Sequence, residues 1–480
     1  MTSPSSLGSP FGLTLEQRLD RLRWNHVHTT LLLALGAGWL FDSLEVNLFS
    51  NFVNPIDDHF GVGSNTGQYI LYWWLLGILV GAMTGGALAD RFGRRKLFVI
   101  TLLWYACFTM LTALSPDLPL LMVLRFVAGL GVGAEYSIIN SAICEFMPSA
   151  RRGRACAVVI NFWPLGAIVA GFLAVILLNV LSLSDGTSWR YGFLLGGVLS
   201  LIVLVFRRRL PESPRWLVTQ GRVAEATAIV ERIEAASGVV HDGTDSGSAA
   251  RIGERLPFRS ALAELFRVYP ARLALGAALD LSEGFGFYGM FAFMPLIVFP
   301  AIHISNGAIP YFYIVGNVGA LAGGLAMSMM FDQIGRRWTI MGFYTLAALS
   351  IGLLALATDS GNTAAVLIAF VVTNALCTAA WTSAYPTFTE LFPTHLRAAG
   401  VGFSVGVGRF GAAFGVLLVT YIANHLGIGA GYWVVACFWL IGTVAMLIWT
   451  VAGGVEAAKR PLESLLRKPA PALGEEVAAG

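Results

Sequence analysis

Apolar residues run along this chain in blocks of about 20 with little polar interruption. Twelve such blocks recur, over 30–52, 68–89, 97–114, 119–143, 156–181, 190–206, 272–299, 309–331, 338–357, 363–388, 399–423 and 429–453. At 1.5 Å per residue, a helix of about 20 residues crosses the roughly 30 Å hydrocarbon core of a bilayer. The blocks form two groups of six. Between them, 222–238 is patterned as an amphipathic surface helix, and 238–249, rich in Gly, Ser and Asp, as a linker. The pattern predicts an all-α integral membrane protein of twelve transmembrane helices in two pseudo-symmetric six-helix bundles, 29–206 and 269–453. A segment of 1–28, a central region of 207–268 with amphipathic helices and a tail of 454–480 are expected outside the bilayer.

Composition agrees with that pattern. Only 12% of the 480 residues are charged, 56% are hydrophobic, and the mean hydropathy is +0.71. A soluble globular domain carries about 25% charged residues, so most of this surface is expected to face lipid. A nucleic-acid-binding role is excluded on the same ground. Residues 1–28 are polar, with no short apolar core and cleavage site, so no signal peptide is expected and the first span is the targeting element. The five cysteines, Cys107, Cys144, Cys156, Cys377 and Cys437, lie in or beside apolar blocks at irregular spacing. They read as small packing residues; neither a disulfide framework nor a metal site emerges.

Charge distribution orients the chain. Of 31 Lys and Arg residues, only Arg125, Arg190 and Arg409 lie outside the termini and the loops after even-numbered spans. Asp57, Asp58, Asp117 and Asp359 fall in the opposite loops. By the positive-inside rule both termini are cytoplasmic.

The two groups of six repeat one another. Asp90-Arg-Phe-Gly-Arg94-Arg95 follows span 2, and Asp332-Gln-Ile-Gly-Arg336-Arg337 follows span 8, an offset of 242. Glu145-Phe-Met-Pro with Arg152 and Glu390-Leu-Phe-Pro with Arg397 are 245 apart; Asp42 and Glu45 match Asp280 and Glu283 at 238. Such duplication builds a binding site between halves near the bilayer midplane. Gly86-Ala-Leu-Ala-Asp90-Arg91-Phe-Gly-Arg-Arg-Lys96 resembles the loop motif of the major facilitator superfamily, and Pro211-Glu212-Ser-Pro-Arg215-Trp216 resembles the motif of sugar porters and their relatives. Trp39-Leu-Phe-Asp42, Phe287-Tyr288-Gly289 with Pro295, and Gly408-Arg409-Phe-Gly411 are similar to the branch of nicotinate, aromatic-acid and other metabolite:proton symporters, which includes synaptic-vesicle glycoprotein and organic-ion relatives. The resemblance implies a secondary active transporter rather than an enzyme.

Several short matches carry no chemistry. Gly406-Val-Gly408-Arg-Phe-Gly411 fits a dinucleotide fingerprint and Gly402-Phe-Ser404-Val-Gly406 a nucleophile elbow, but both lie inside an apolar span with no preceding strand. Small residues that let helices approach closely are the better reading. The three lysines, Lys96, Lys459 and Lys468, lie in no phosphate-binding loop. No cofactor is called for, and ATP-driven transport by this chain is not expected.

Charges inside spans point to the site. A charge at a helix centre costs about 2.5–3.5 kcal/mol on insertion scales, so it faces a cavity or a partner. Five acids, Asp42, Glu45, Glu135, Asp280 and Glu283, stand against two bases, Arg125 and Arg409. Three acids therefore lack a basic partner within the spans, which favours proton coupling or a cationic solute. Asp42 and Arg125 are estimated at one depth and are expected to pair, either for coupling or as a structural bridge. Arg409 is expected to hold a solute carboxylate, or else to pair with Asp280 or Glu283. Tyr288 of span 7, with a helix break at Gly284 or Gly286, Trp381 and Tyr385 of span 10, and Asn161 of span 5 complete the solute candidates; packing is the alternative for the aromatics. In the family reading, Asp90, Arg94, Glu145, Arg152, Glu212 and Arg215, repeated by Asp332, Arg336, Glu390 and Arg397, form ion pairs that close the cytoplasmic face; solvated topology signals are the alternative. The expectation is a monomeric plasma-membrane symporter of protons and a small organic solute, leaning to a carboxylate. A sugar or a neutral or cationic metabolite, a drug-efflux antiporter and a non-transporting receptor are the alternatives.

Overall fold

The computed structural model describes residues 18–19, 22, 24–62, 66–147, 152–207, 210–237, 258–393 and 396–454. Twelve helices among them are long and apolar enough to cross a membrane: His26–Phe60, Gly67–Gly86, Arg94–Thr112, Leu118–Tyr136, Arg154–Val180, Asp185–Val205, Pro270–Ala301, Ile309–Phe331, Arg336–Asp359, Thr363–Phe388, Ala399–Leu426 and Ile428–Val451, here helices 1 to 12. Helix 1 runs about two turns beyond the block that hydropathy delimits, through Pro55, to a left-handed cap at Gly61. Asp57 and Asp58 thus belong to its last turn and not to a loop. Helix 7 does not break at Gly284 or Gly286; it continues to Phe293 and its irregularity is a π-turn over Met294–Val298.

Within each half, helices 1 and 5, 2 and 4, 7 and 11, and 8 and 10 form extensive pairs, and the halves meet along helix 2 against 11 and helix 5 against 8. Helices 1 and 7 are the most enclosed, with 78% of their apolar windows buried, whereas 28% of helix 12 is buried and the rest faces outward.

Glycine sets these distances, and it does so twice. At Gly77 and Gly81 an added Cβ would strike the carbonyl oxygens of Phe126 and Leu130 on helix 4; at Gly319 and Gly323, offset by 242, it would strike Val371 and the carbonyl of Ala375 on helix 10. Gly166 meets the Leu40 carbonyl on helix 1, and Gly408, again 242 further on, packs against Gly284 and Asp280 of helix 7. Backbones this close gain dispersion contacts where lipid supplies no hydrophobic drive. The duplicated loop motif has its own glycine requirement: Gly93 and Gly335 both sit at φ +90°, ending one helix and starting the next without a connecting residue.

Between the two groups of six, Val223–Ala236 forms the expected amphipathic helix. Its Val230 and Ile233 pack with Leu19 and Leu22, and its Glu234 is ion-paired to Arg18 at 2.6 Å. Among the described residues, Cys107, Cys156, Cys377 and Cys437 are free thiols; Cys156 and Cys377 are buried, and Cys107 and Cys437 face outward.

Gly323→Val is expected to lower the apparent melting temperature of the purified protein, because overpacking at a backbone crossing costs about 1–3 kcal/mol. Gly342→Val, at a position on helix 9 with open space around it, should melt like the parent. Equal melting of the two variants would refute the crossing as a packing constraint.

Candidate functional site

Eight charged side chains lie inside the bundle, none more than 3% exposed: Asp42, Glu45, Arg125, Glu135 and Arg207 in the first half, Asp280, Glu283 and Arg409 in the second. Arg207 is the one that hydropathy reading assigns to the cytoplasmic loop. It ends a short helix, Val203–Arg207, that extends helix 6.

The pairing in the first half differs from the expected Asp42–Arg125 bridge. Arg125 donates to Glu45 at 2.9 Å, and the Thr109 hydroxyl donates to the same oxygen at 2.6 Å. Glu45 is one helical turn further toward the outer end than Asp42, and that is the level of Arg125. The guanidinium lies over Trp74 and Phe193, at 5.6 and 5.1 Å from their ring centres. Glu135 pairs with Arg207, which also donates to the Phe98 carbonyl. Gly38, one turn before Asp42, leaves the room that this second pair occupies. Asp42 is left over: neither of its oxygens has a hydrogen-bond partner, and Arg207, Glu45 and the Tyr105 hydroxyl are the polar groups that face it. With Arg207 counted, the acids without a base of their own number two rather than three.

The halves meet around an aromatic box. Trp39 stacks on Tyr136 at 4.9 Å and meets Trp163 edge-on at 5.6 Å, all from the first half. Across the interface Trp39 meets Tyr385 edge-on at 5.9 Å, and Tyr385 stacks on Trp381 at 6.0 Å, with Tyr288 closing the ring at 6.0 Å from Trp381. Arg409 reaches into this box: its guanidinium carbon is 5.3 Å from each of the Tyr136, Tyr288 and Trp381 ring centres. One nitrogen donates to the Tyr385 hydroxyl at 2.9 Å, while Nε and Nη1 have no acceptor. No ion pair joins it to Asp280 or Glu283. The box is sealed, none of its seven side chains being more than 8% exposed. A cavity of about 30 Å³, lined by Phe287, Met290, Phe291, Tyr313, Asn374 and Cys377, lies beside it, Phe287 meeting Trp381 of the box edge-on at 4.9 Å.

Trp39, Tyr136 and Trp163 were not among the solute candidates. Tyr136 stands 245 positions before Trp381, the offset of the Glu145 and Glu390 motifs, so the repeat itself marks it. Asn161 has a different role from the expected solute contact: its amide donates to the Ala157 carbonyl at 2.7 Å and to the Ser328 hydroxyl of helix 8 at 2.9 Å, tying the halves together.

At the end of the bundle that carries the duplicated loop motifs, Arg336 and Glu390 form a bidentate pair at 2.7 and 2.8 Å. Glu212 instead accepts from the backbone N–H groups of Arg94, Arg95 and Ser213 at 2.9, 3.4 and 3.0 Å, capping helix 3, and the Arg94 side chain donates to the Ala89 carbonyl. An anion at a helix N-terminus satisfies donors that have no partner within the helix. Arg215 lies in a short helix, Pro214–Thr219, beside this cap. The side chains of Asp90, Glu145, Arg152, Asp332 and Arg397 fall outside the described residues. At the outer ends Asn306 bridges Asn54 and Asp58, both at 3.2 Å, and Asn179 donates to the Gly307 carbonyl at 2.8 Å, so the halves are joined there too. Among the described residues no group of three His, Cys, Asp or Glu side chains is placed to hold a metal ion.

The profile of the sugar (and other) transporter family matches residues 34–468. The niacin transporter NiaP of Acinetobacter baylyi is 27% identical, over 85% of this chain and 90% of that protein. The organic cation/carnitine transporter 7 of Arabidopsis thaliana is 27% identical, over 83% and 86%. Among solved structures, the proton:xylose symporter XylE superposes with a TM-score of 0.73 at 18% identity, over 92% of this chain and 99% of that one, which shows the shared fold.

Truncating Arg207 to Met leaves Glu135 buried without its base, and breaking such a pair costs about 3–5 kcal/mol. The single variant should therefore melt well below the parent, and adding Glu135→Gln should recover part of the loss. A double variant no more stable than Arg207→Met would rule the pair out as the cause.

Proposed function

The chain belongs to the sugar (and other) transporter family, and from that premise we propose that it is a proton-coupled symporter of a small, flat organic carboxylate. As a member of that family it is a multi-pass membrane transporter of metabolites or sugars and not an enzyme. The carboxylate reading rests on one observation: a guanidinium that cannot lose its proton is buried in an aromatic box with two donors unused. A carboxylate accepts two parallel N–H bonds from one edge of the guanidinium, Nη2 together with Nε or Nη1, and the faces of Trp39, Tyr136 and Trp381 suit a ring attached to it. Niacin and carnitine, named for two relatives, both carry a carboxylate.

Coupling is assigned to Asp42. Its oxygens are unpartnered in a buried position, so it holds a proton while occluded and releases it when the cavity opens or Arg207 moves toward it. A proton entering with one carboxylate carries no net charge across the bilayer, so it drives accumulation through the pH difference, about 1.4 kcal/mol per unit. The two halves rock about the seams of helices 2 and 11 and helices 5 and 8, and the contacts at their cytoplasmic ends break as the inside opens. The site of action is the plasma membrane, with both termini and the 207–268 region in the cytoplasm.

Three measurements test this reading. Arg409→Lys should weaken carboxylate binding by tenfold or more (about 1.4 kcal/mol or more) with little change in folded yield; binding of only sugars or amines by the parent would overturn the carboxylate assignment. Asp42→Asn should lower accumulation driven by a proton gradient while retaining solute-for-solute exchange in proteoliposomes; accumulation at parental level would exclude Asp42. Single cysteines in the 207–268 region, in a background without the native five, should resist an impermeant reagent added to intact cells. Labelling from outside would reverse the orientation.

A further inference from the structure

The buried charges of the two halves are organised differently. In the first half two arginines answer two glutamates, leaving Asp42 as the only excess acid. In the second half Asp280 and Glu283 share one base, and the three groups form no ion pair. Asp280 Oδ2 and Glu283 Oε1 have no donor, and Arg409 Nε and Nη1 have no acceptor. All three residues are at most 1% exposed.

These groups are nonetheless neighbours. Gly408, which precedes Arg409, lies so close to the Asp280 carboxyl that any side chain there would collide with it. Arg409 is the one base acting on either acid. The other titratable groups facing them are Tyr344 of helix 9, whose hydroxyl donates to Glu283 at 3.2 Å, Tyr385 of helix 10 and Tyr288 of helix 7 itself. Helix 12, packed on the same face, carries no charged residue over Ile428–Val451.

With no solute bound, one ionised acid against Arg409 leaves this cluster neutral. A solute carboxylate arriving at the guanidinium adds a negative charge to a low-dielectric site, where like charges cannot both stay ionised. We propose that Asp280 and Arg409 form a proton-linked carboxylate site: the solute takes the free donors of Arg409, and Asp280 takes up one proton from bulk water as it does so. Neutrality is kept, because one anion and one proton enter together. This rests on the carboxylate reading of the box and adds to it a second proton, distinct from the one on Asp42. Solute and proton are coupled at the binding site itself, through competition for a single arginine.

Titration calorimetry with nicotinate, in buffers of different ionisation enthalpy, reads the protons taken up per solute bound. Between about pH 6 and pH 8 nicotinate stays ionised, so uptake reports the protein. The parent should take up about one proton per nicotinate and lose about tenfold in affinity per pH unit above the midpoint of the site. Asp280→Asn should bind with no uptake and a flat pH profile, and Asp280→Glu should restore both. Binding by the parent without proton uptake, or unchanged uptake in Asp280→Asn, overturns the proposal while leaving the carboxylate reading standing. If neither nicotinate nor benzoate binds the parent, both fall together.

Discussion

Placing an ionised side chain at the centre of a bilayer is costly by any measure, and the cost is met only by a partner, by water or by loss of the charge. Among the described residues eight such side chains are enclosed within these two bundles, and their arrangement depends on how that cost is met at each. Glu45 and Glu135 are each ion-paired to an arginine, Arg125 lying over Trp74 and Phe193 and Arg207 donating also to the Phe98 carbonyl, although Glu45 Oε2 and Arg125 Nε have no hydrogen bond. Asp42, Asp280, Glu283 and Arg409 are met incompletely. A bundle can tolerate incomplete answers only where it must later do something with them.

The scaffold that holds these charges in register is glycine packing, repeated at one offset. Gly77 and Gly81 do for helices 2 and 4 what Gly319 and Gly323 do for helices 8 and 10. Asn161 and Ser328 cross the seam of helices 5 and 8 with a single hydrogen bond at 2.9 Å, a contact of modest net strength.

Much of this was legible before any coordinates. Hydropathy located all twelve helices because about 20 apolar residues is a length set by the bilayer. The repeat was legible because its motifs recur at offsets of 238 to 245. The burial of Arg409 followed from its depth in an apolar run. Partner choice was not legible. Successive residues on a helix differ by about 100° in direction and 1.5 Å in height, so an error of one turn in depth exchanges Asp42 for Glu45 as the partner of Arg125. Arg207 was missed because it stands at the end of a span beside three more cationic or loop residues, where hydropathy has no means to separate a buried arginine from a solvated one. Glu212 was read as an ion-pair partner, but it caps a helix: sequence displays the charge and conceals the backbone donors that receive it.

The halves are duplicates in backbone and unlike in chemistry, and the divergence divides the work. Arg125 has no counterpart in the second half, where Thr363, Leu367 and Phe370 stand at the repeat offsets of 238, 242 and 245. Arg409 has none in the first, where Ala167 stands at an offset of 242 and Pro164 at 245. The first half thus satisfies its glutamates internally and retains one aspartate with unpartnered oxygens. The second half keeps its arginine uncommitted, bonded only to the Tyr385 hydroxyl. A neutral hydroxyl is a weaker partner for a guanidinium than a carboxylate would be, so the bond it makes is one that an incoming anion can replace. Two identical halves could not be arranged so: with an arginine committed in each, none would keep unused donors, and with one free in each, the acids of both halves would be left without a base.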